Sequence, residues 1–566
     1  MVLRIGNASA FYGDRFSAVR EMLEGGPLDV LTGDYLAELT MLILGRDRMK
    51  DRSRGYARTF LKQMEECLGL ALDRRVKVVV NAGGLNPAGL ATALRELSTR
   101  LGLDAKIAHV EGDDLIARAG ELGFGMPITA NAYLGAWGIV ECLRGGADVV
   151  VTGRVTDASL IVGSAAAHYG WARDDWDALA GATAAGHVIE CGPQATGGNY
   201  AFFTQHDVRR PGFPIAEVHA DGSSIITKHD GTGGAVTVGT VKAQLLYEIG
   251  GARYAGPDVT TRLDSLALEQ EGPDRVRISG ARGEPPPPTL KVCLNTLGGF
   301  RNEMTFVLTG LDIEEKAALV REQMTMAFGA KPPEGVCFTL ARTDHRDADT
   351  EQTASALLRL VVKDKSSDVV GRAFSSAAVE LAVASYAGFN ITAPPGDASP
   401  YGVYRAGFVD ASLVPHVAVL HDGSRVEIAP SPETRALEPF ETTASVAAPP
   451  AGKTKRVPLG LVVGARSGDK GGTANLGVWA RTDAVFPWLV HTLTVEEVRR
   501  LLPEAKDLPI ERHVFENFRA MNFVIDGLLG EGVSSSTRFD PQAKALGEWL
   551  RARYVDVPEE LLGTME

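Results

Sequence analysis

Residues 75–87, which read RVKVVVNAGGLNP, decide the fold class of this chain. The run of valines before Asn81 is typical of a strand that is buried on both faces of a parallel sheet. Pro87 stands where the first turn of a helix accepts proline, so a helix is predicted over Ala88–Leu101. A strand that turns directly into a helix is the repeating unit of a parallel α/β sheet.

The same alternation continues on both sides of this stretch. Strands are predicted at Val2–Ile5, Leu28–Leu31, Ala105–Val110 and Ala147–Thr152, and helices at Asp14–Leu23, Tyr35–Leu44, Tyr133–Arg144 and Asp157–His168. Parallel strands need a right-handed crossover between them, and the helices supply it. The pattern therefore predicts a large doubly wound, mostly parallel α/β region over residues 1–256.

The rhythm changes after residue 256. The segment GARGEPPPPTLKV (280–292) contains too much proline for a helix or a central strand. Candidate strands and helices such as Ile313–Phe328 follow it and predict a mixed α/β lobe of the same domain over 257–444. The stretch SVAAPPAGKT (445–454) is typical of a linker. The elements after it predict a small α+β domain over 455–566.

Composition narrows the function classes. The chain has 566 residues and a formal net charge of −13, and such a surface repels phosphate backbones and anionic lipid. We therefore expect neither a nucleic acid nor a membrane as partner. The sequence has no run of about 18 uncharged apolar residues, and its first residues lack the apolar core of a signal peptide, so we expect a cytoplasmic protein. Five widely spaced cysteines argue against a disulfide framework and a cysteine-based zinc site.

Polar and glycine residues follow three of the predicted strands, at the edge where open parallel sheets bind ligands. They are Asn81, Gly83, Gly84 and Asn86 after the first, Glu111 and Asp113 after the second, and Arg154 and Asp157 after the third. Glycines and free helix amides favour an anion, carboxylates suit a general base or Mg²⁺, and arginine clamps carboxylate or phosphate.

We therefore predict the main pocket where the loops 81–86, 111–114 and 153–157 meet. Glu111, Asp113 and Asp157 are its predicted catalytic carboxylates, and Asp113 with Asp114 would bind a divalent cation if the protein uses one. A structural interpretation, with tight turns and helix caps at these positions, stays open.

Three further stretches contribute predicted ligand-binding residues. These are Asp14 and Arg15 after the first strand, Gly197 and Gly198, and the group His229, Asp230 and Gly233. The last group combines an imidazole with backbone amides, as a cradle for phosphate or an acyl carbonyl does. Cys191 lies near a histidine, but a buried, inert thiol is the more common state of cysteine. We expect no catalytic cysteine.

The segment GARSGDKGGT (464–473) is predicted to be a glycine-rich loop between two strands of the small domain. It lacks the GxxxxGK[ST] spacing of a phosphate-binding loop, which disfavours phosphoryl transfer. We expect Arg466 and Lys470 to bind the anionic end of a ligand, in the pocket of the large domain or across a subunit boundary. A flexible loop with solvated charges is the alternative.

Several of these stretches resemble, in order, the acyclic terpene utilisation protein A (AtuA) family. They are FYGDR (11–15), NAGGLNP (81–87), VEGDD (110–114), VVTGRVTDAS (150–159), ECGPQATGG (190–198), HDGTGG (229–234) and ARSGDKGGTANLG (465–477). The resemblance implies a large AtuA domain followed by a small ferredoxin-like domain. It also implies a role in the breakdown of citronellol and geraniol through acyl-CoA intermediates. It assigns neither a reaction nor catalytic residues.

Two functions are predicted from the residues and the resemblance together. The first is an enzyme acting on a branched or isoprenoid acyl-CoA or carboxylate, a hydratase or lyase without a redox cofactor, for which a CoA thioester is the candidate substrate and Mg²⁺ a candidate cofactor. The second is a non-catalytic subunit that binds acyl-CoA or assembles with another enzyme of the pathway. A small-molecule ligand and a homo-oligomer are expected in either case.

Overall fold

The computed structural model describes residues 2–438, 440, 442, 445–450 and 452–564. Its contacts divide the chain into two compact units. The first contains the residues up to Asn295, Tyr404–Val533 and the residues from Asp540 onwards, and the second contains Thr296–Val403 and Ser534–Phe539. These limits differ from the predicted domains 1–256, 257–444 and 455–566, which were based on changes in composition.

The α/β class is confirmed, and the strand of residues 75–81 lies at the centre of the first unit. Five parallel strands form the middle of its large sheet in the order β1–β2–β3–β6–β4. They are β1 (Leu3–Asn7), β2 (Val30–Gly33), β3 (Lys77–Val80), β4 (Ile107–Glu111) and β6 (Val149–Thr152). Val78, Val79 and Val80 are fully buried, as the valine run predicts.

Six antiparallel strands extend this sheet to eleven. On the β1 side lie β7 (Pro214–Val218), β8 (Ser224–Lys228), β12 (Arg275–Ser279) and β11 (Ala267–Gly272), and on the β4 side lie β19 (Val417–Val419) and β20 (Arg425–Glu427). Among the described strands of this sheet, parallel pairing is therefore confined to the central five. The flanking strands are short and come from hairpins, which need no crossover helix.

Helices cover the sheet on its two faces. α1 (Ala18–Gly25), α3 (Arg58–Asp73) and α4 (Pro87–Arg100) contact one another in one layer, and α5 (Trp137–Arg144), α6 (Ser159–Tyr169) and α7 (Trp176–Ile189) form another. In chain order β4 follows β3, but in the sheet it lies one place further out, and the later strand β6 fills the place between them. The direction of winding therefore reverses at this point. Ligand sites of open α/β sheets lie at such reversals.

Smaller elements complete this part of the unit. They are α2 (Glu38–Lys50), β5 (Thr129–Ala132), α8 (Val238–Leu245) and a three-stranded sheet of β9 (Arg253–Ala255), β10 (Thr260–Arg262) and β13 (Arg282–Glu284). The proline-rich segment 280–292 thus contributes the short strand β13. It also contains the start of the long strand β14 (Thr289–Thr309), whose residues Val292–Asn295 pair with β5.

The second unit is a mixed α/β structure. Its sheet contains β15 (Gly335–Ala341), β16 (Ser355–Asp364), the later part of β14 and β17 (Asn390–Ile391), and β18 (Ser399–Asp410) also pairs with β14. Helices α9 (Ile313–Phe328), α10 (Ser367–Val370) and α11 (Arg372–Glu380) accompany it. The helix predicted at Ile313–Phe328 has the predicted ends, because it carries apolar residues at helical spacing and ends at Gly329.

The C-terminal part of the first unit is a four-stranded antiparallel sheet in the order β22–β23–β25–β24. Its strands are β22 (Val463–Lys470), β23 (Thr473–Ala480), β24 (Ile510–Phe515) and β25 (Ala520–Ile525), with β21 (Thr454–Pro458) paired to β26 (Tyr554–Pro558) beside it. Its helices are α12 (Val485–Thr492), α13 (Val495–Leu501), α14 (Leu546–Ala552) and α15 (Glu559–Gly563).

The predicted glycine-rich loop at 464–473 was wrong. Residues 463–470 are the strand β22, which pairs with β23 as far as Lys470 and Thr473. Gly471 and Gly472 alone form the turn, and Gly471 has a positive φ of 63°. Two-residue hairpin turns require such backbone angles, so glycine belongs there. In the part of the chain that the structure describes, no helix is both long and apolar enough to cross a lipid bilayer.

Candidate active site

The three predicted loops lie together at the carboxyl ends of β3, β6 and β4. Asp113 accepts hydrogen bonds from the backbone N–H of Arg154 at 2.9 Å and from Asn131 Nδ2 at 2.8 Å. A Cβ on Gly83 would lie 2.4 Å from the carbonyl oxygen of Thr152, so these two loops are in direct contact. This edge of the sheet is a network of closely packed polar groups.

Much of this polarity is satisfied within the network. Asn81 accepts the N–H of Tyr35 at 2.7 Å and donates to Asp34, and Asn86 caps α4 by accepting the N–H of Gly89 at 2.9 Å. Gly84 turns the chain with a φ of 53°. The structural interpretation of the loop 81–86 is therefore favoured, since its hydrogen-bonding groups hold the turn between β3 and α4.

Two of the three predicted catalytic carboxylates, Asp113 and Glu111, are hydrogen-bonded to protein groups and do not face the cleft. Asp113 is 2% exposed, and burial raises its pKa to about 7. Glu111 accepts hydrogen bonds from His109 Nε2 and from Arg425 Nη2, each at 2.9 Å, at the edge where β20 extends the sheet. Burial opposes its ionisation, but these two bonds hold the pKa of Glu111 below its ordinary value. We infer structural roles for both.

Asp157, the third, accepts a hydrogen bond from Arg154 Nη2 at 2.5 Å. Arg154 is itself buried, donates to the carbonyl of Leu36 at 3.1 Å and lies 4.3 Å from the ring centroid of Tyr133. Because these contacts hold its guanidinium group in place, Arg154 orients Asp157 and is not available to bind a ligand. Burial raises the pKa of Asp157, although the charge of Arg154 opposes that shift.

Asp157 borders a cleft in the first unit. About a third of its side-chain surface is accessible, and the same holds for Glu248 and Lys544, yet protein atoms surround the carboxyl groups of Asp157 and Glu248. Lys470 also has accessible surface, although protein atoms surround its ammonium group. Accessible surface on a side chain that protein surrounds is typical of a cleft and not of the outer surface.

Glu190 and His187 lie at the end of α7, where they reach this cluster. His187 Nδ1 is 3.3 Å from Glu190 Oε1, while Glu190 Oε2 is buried without a hydrogen-bond partner among the residues that the structure describes. Burial, together with repulsion from Asp157 and Glu248, raises the pKa of Glu190 well above its ordinary value. Burial and the charge of Lys470 lower the pKa of His187 to about 4, so the imidazole is neutral at pH 7.

The C-terminal sheet supplies cations to the same cleft. Lys470, the last residue of β22, places Nζ 5.4 Å from the ring centroid of Tyr254, whose ring lies 4.9 Å from that of His187. Lys544 Nζ lies 3.3 Å from Glu248 and 3.6 Å from Asp469. The expected approach of the small domain to the large one is present in the structure at these residues.

Arg466 has a different environment from Lys470. It donates a hydrogen bond to Gln194 Oε1, lies 4.2 Å from the ring centroid of Tyr247 and is 4% exposed. Its guanidinium group therefore stabilises the packing of the C-terminal sheet on residues of the large domain. Of the two predicted anion-binding cations, only Lys470 faces the cleft.

The remaining predicted ligand residues have local partners. Asp14 accepts the backbone N–H groups of Ala10 and Arg15 at 2.8 and 2.6 Å, and Arg15 pairs with Glu21 at 3.0 Å. Gly198 donates its N–H to the carbonyl of Pro193 at 2.9 Å, and Gly197 ends the same short turn.

The predicted cradle at 229–233 is closed in the same way. His229 is buried with Nε2 2.9 Å from the carbonyl of Met22, Asp230 is exposed, and a Cβ on Gly233 would lie 2.6 Å from the carbonyl of Arg210. These contacts account for His229 and Gly233 without a ligand. The structure does not bring them together with Asp157.

Cys191 was expected to be buried but is partly exposed. Burial nevertheless dominates its electrostatics and, with the carboxylates of Glu190 and Glu248, raises the pKa of its thiol well above the ordinary value. A protonated thiol is a poor nucleophile. That no cysteine is catalytic stays a prediction.

The described residues contain no cluster of three or more histidine, cysteine or carboxylate side chains arranged to hold a metal ion. Asp114 pairs with Arg48 at 2.5 Å, while Asp113 binds the strand ends, so the two candidate magnesium ligands have separate partners.

Sequence reasoning missed part of this cleft. Glu190 lies in the motif ECGPQATGG, next to Cys191, but the sequence did not predict it as a site residue. Glu248, Tyr254 and Lys544 follow no strand end and belong to no motif, because tertiary packing alone brings them to the cleft.

Comparison with known proteins agrees with this architecture. The model of the acyclic terpene utilisation family protein AtuA matches residues 3–420. The chain belongs to this family. The model of the AtuA ferredoxin-like domain matches residues 457–556, which cover the C-terminal four-stranded sheet. Membership of the AtuA family implies involvement in acyclic terpene utilisation. No curated protein and no solved structure matches the chain.

Proposed function

We propose that this AtuA-family protein is an enzyme that adds water to, or cleaves, a branched or isoprenoid acyl-CoA or carboxylate by proton transfer. The observation that carries the proposal is the buried, unpartnered Oε2 of Glu190 in a cleft that also contains Asp157. Unpaired buried carboxyl groups are costly to stability and are typical of functional sites.

The environments of the two carboxyl groups suit them to different roles. Glu190 is buried and repelled by neighbouring carboxylates, which raises its pKa and favours the protonated form that a general acid needs. Asp157 is more accessible and is bound by the Arg154 guanidinium, which favours its ionised form. Carboxyl groups whose surroundings differ in this way commonly divide the acid and base roles.

Hydration of an α,β-unsaturated acyl thioester illustrates the proposed division of roles. Asp157 accepts a proton from water as the water oxygen bonds to the β-carbon. Glu190 gives its proton to the α-carbon, and the lyase direction reverses both transfers. Lys470 supplies positive charge near the carbonyl oxygen on which negative charge develops.

The test is hydration of a branched α,β-unsaturated acyl-CoA, followed by the loss of ultraviolet absorbance of the conjugated thioester. Glu190→Gln and Asp157→Asn should each lower the rate by about 10²–10⁴-fold. Glu96→Gln, an exposed position on α4, is the matched control and should leave it unchanged.

If wild-type protein turns over neither unsaturated nor hydroxylated acyl-CoAs but binds them, the second predicted function, a non-catalytic acyl-CoA-binding subunit, replaces this one. Full activity of both carboxylate variants would show that the reacting groups lie elsewhere.

A further inference from the structure

Lys470 is a cation without a protein counter-ion. No ion pair joins it to any residue that the structure describes, although it lies in the same cleft as Asp157, Glu190 and Glu248. Lys544, by contrast, lies between two carboxylates, Glu248 and Asp469. Lys470 and Lys544 therefore differ, since protein carboxylates lie beside Lys544 and none is paired with Lys470 among the described residues.

A second lysine stands near Lys470. Lys291 Nζ is 3.7 Å from Glu38 and lies over the rings of Tyr133 and Tyr404, at 4.9 and 5.7 Å from their centroids. Its positive charge adds to the effect of burial in lowering the pKa of Lys470. Two neighbouring cations repel each other, and an anion that lies between them relieves that repulsion.

Most of the carboxylates near Lys470 are bound by other cations. Asp157 is bound by Arg154, and Glu248 is bound by Lys544. Burial and the repulsion of neighbouring carboxylates raise the pKa of Glu190, which disfavours its charged form. Glu38 in turn lies beside Lys291, so Lys470 is left without a carboxylate at ion-pair distance among the described residues.

We infer that Lys470, with Lys291 beside it, binds an oxyanion of the ligand, either a carboxylate or a phosphate, and that the C-terminal domain thereby completes the site. The inference rests on the proposed function in taking this ligand to be the substrate. It specifies the substrate class as an acid with a free anionic group near the reacting carbon atoms. A lysine serves such a group as a point charge.

The test measures binding to the full chain by calorimetry at pH 7 with four probes. They are 3-methylbutanoate, its neutral amide of the same shape, inorganic phosphate and CoA. The wild-type protein should bind the acid and not the amide. Binding of phosphate or CoA in place of the acid would identify the anion as a phosphate, in the same site.

Variants then locate the anion. Lys470→Gln, which keeps the chain length but removes the charge, should weaken binding tenfold or more, which corresponds to about 1.4 kcal/mol. Lys470→Arg should restore most of the affinity, and Lys455→Gln, an exposed lysine of the same domain, should leave it unchanged. Equal binding by wild type and Lys470→Gln would overturn the inference, and so would a wild type that binds none of the anions.

The two proposals fail separately. Glu190→Gln should keep the anion affinity even though it loses turnover. Hydration activity that persists without any anion binding at Lys470 would disprove the inference and leave the proposed reaction intact.

Discussion

Replacing Asp113 by asparagine tests whether the buried network at the strand ends holds a proton. The carboxyl group is 2% exposed and accepts N–H groups from Arg154 and Asn131. Both donors bind Oδ2, so the amide oxygen of an asparagine can accept them in the same geometry. The substitution therefore removes the ionisation while keeping the hydrogen bonds.

The sign follows from the two pKa values. Burial raises the pKa of Asp113 to about 7 in the folded chain, against 3.8 for an ordinary aspartate. The folded state thus keeps a proton that the unfolded state releases, and the wild type loses stability as pH rises from about 4 to 7. Each pH unit of separation corresponds to about 1.4 kcal/mol, so the loss between pH 5 and pH 8 is about 3 kcal/mol.

Urea unfolding followed by tryptophan fluorescence at pH 5 and pH 8 measures this difference. The stability of Asp113→Asn relative to wild type should rise by about 3 kcal/mol between the two pH values. Asp114→Asn, at the neighbouring carboxylate that pairs with Arg48, should show a similar small effect at both. If the profiles of Asp113→Asn and wild type run parallel, Asp113 is ionised in the folded protein and the reasoning fails.

Two further predictions concern residues that border the cleft. Arg466→Met removes the hydrogen bond to Gln194 and the cation over the Tyr247 ring, and should lower the free energy of unfolding in urea by about 3 kcal/mol. An unchanged urea midpoint would contradict this structural role. Cys191→Ser should keep turnover and ligand affinity within about twofold of wild type, because a protonated thiol contributes little chemistry. Complete loss of activity with an intact circular dichroism spectrum would make Cys191 a catalytic residue.

The central sheet could be predicted from sequence because its signals are local. A valine run, a first-turn proline and regular alternation are sufficient for β3, α4 and their neighbours. The flanking antiparallel strands were harder to predict. β19 and β20 have only three residues each, which is too short for a clear alternation, and they are far in sequence from β4, the strand beside which they lie. Predicted strand ends shifted by a few residues, which is where periodicity is least informative.

The candidate site was predictable only in outline. The loops that meet were identified because strand ends of a parallel sheet share one edge. Which carboxylate faces the cleft could not be predicted, because this depends on partners distant in sequence, such as Arg425 for Glu111. The glycines at 83 and 84 looked like a ligand cradle, but they serve close packing against Thr152 and the segment before α3.

The motif ARSGDKGGTANLG has a similar explanation. A Cβ on Gly468 would lie 2.3 Å from the ring of Tyr247, so glycine lets β22 lie directly against the large domain. Tyr247 in turn contacts Arg466 and Lys544. Close packing therefore accounts for glycines that chain entropy alone makes costly. Because the hairpin turns immediately after Lys470, this packing also fixes where that lysine enters the cleft. The same thirteen residues therefore determine both how the C-terminal sheet packs on the large domain and where Lys470 lies.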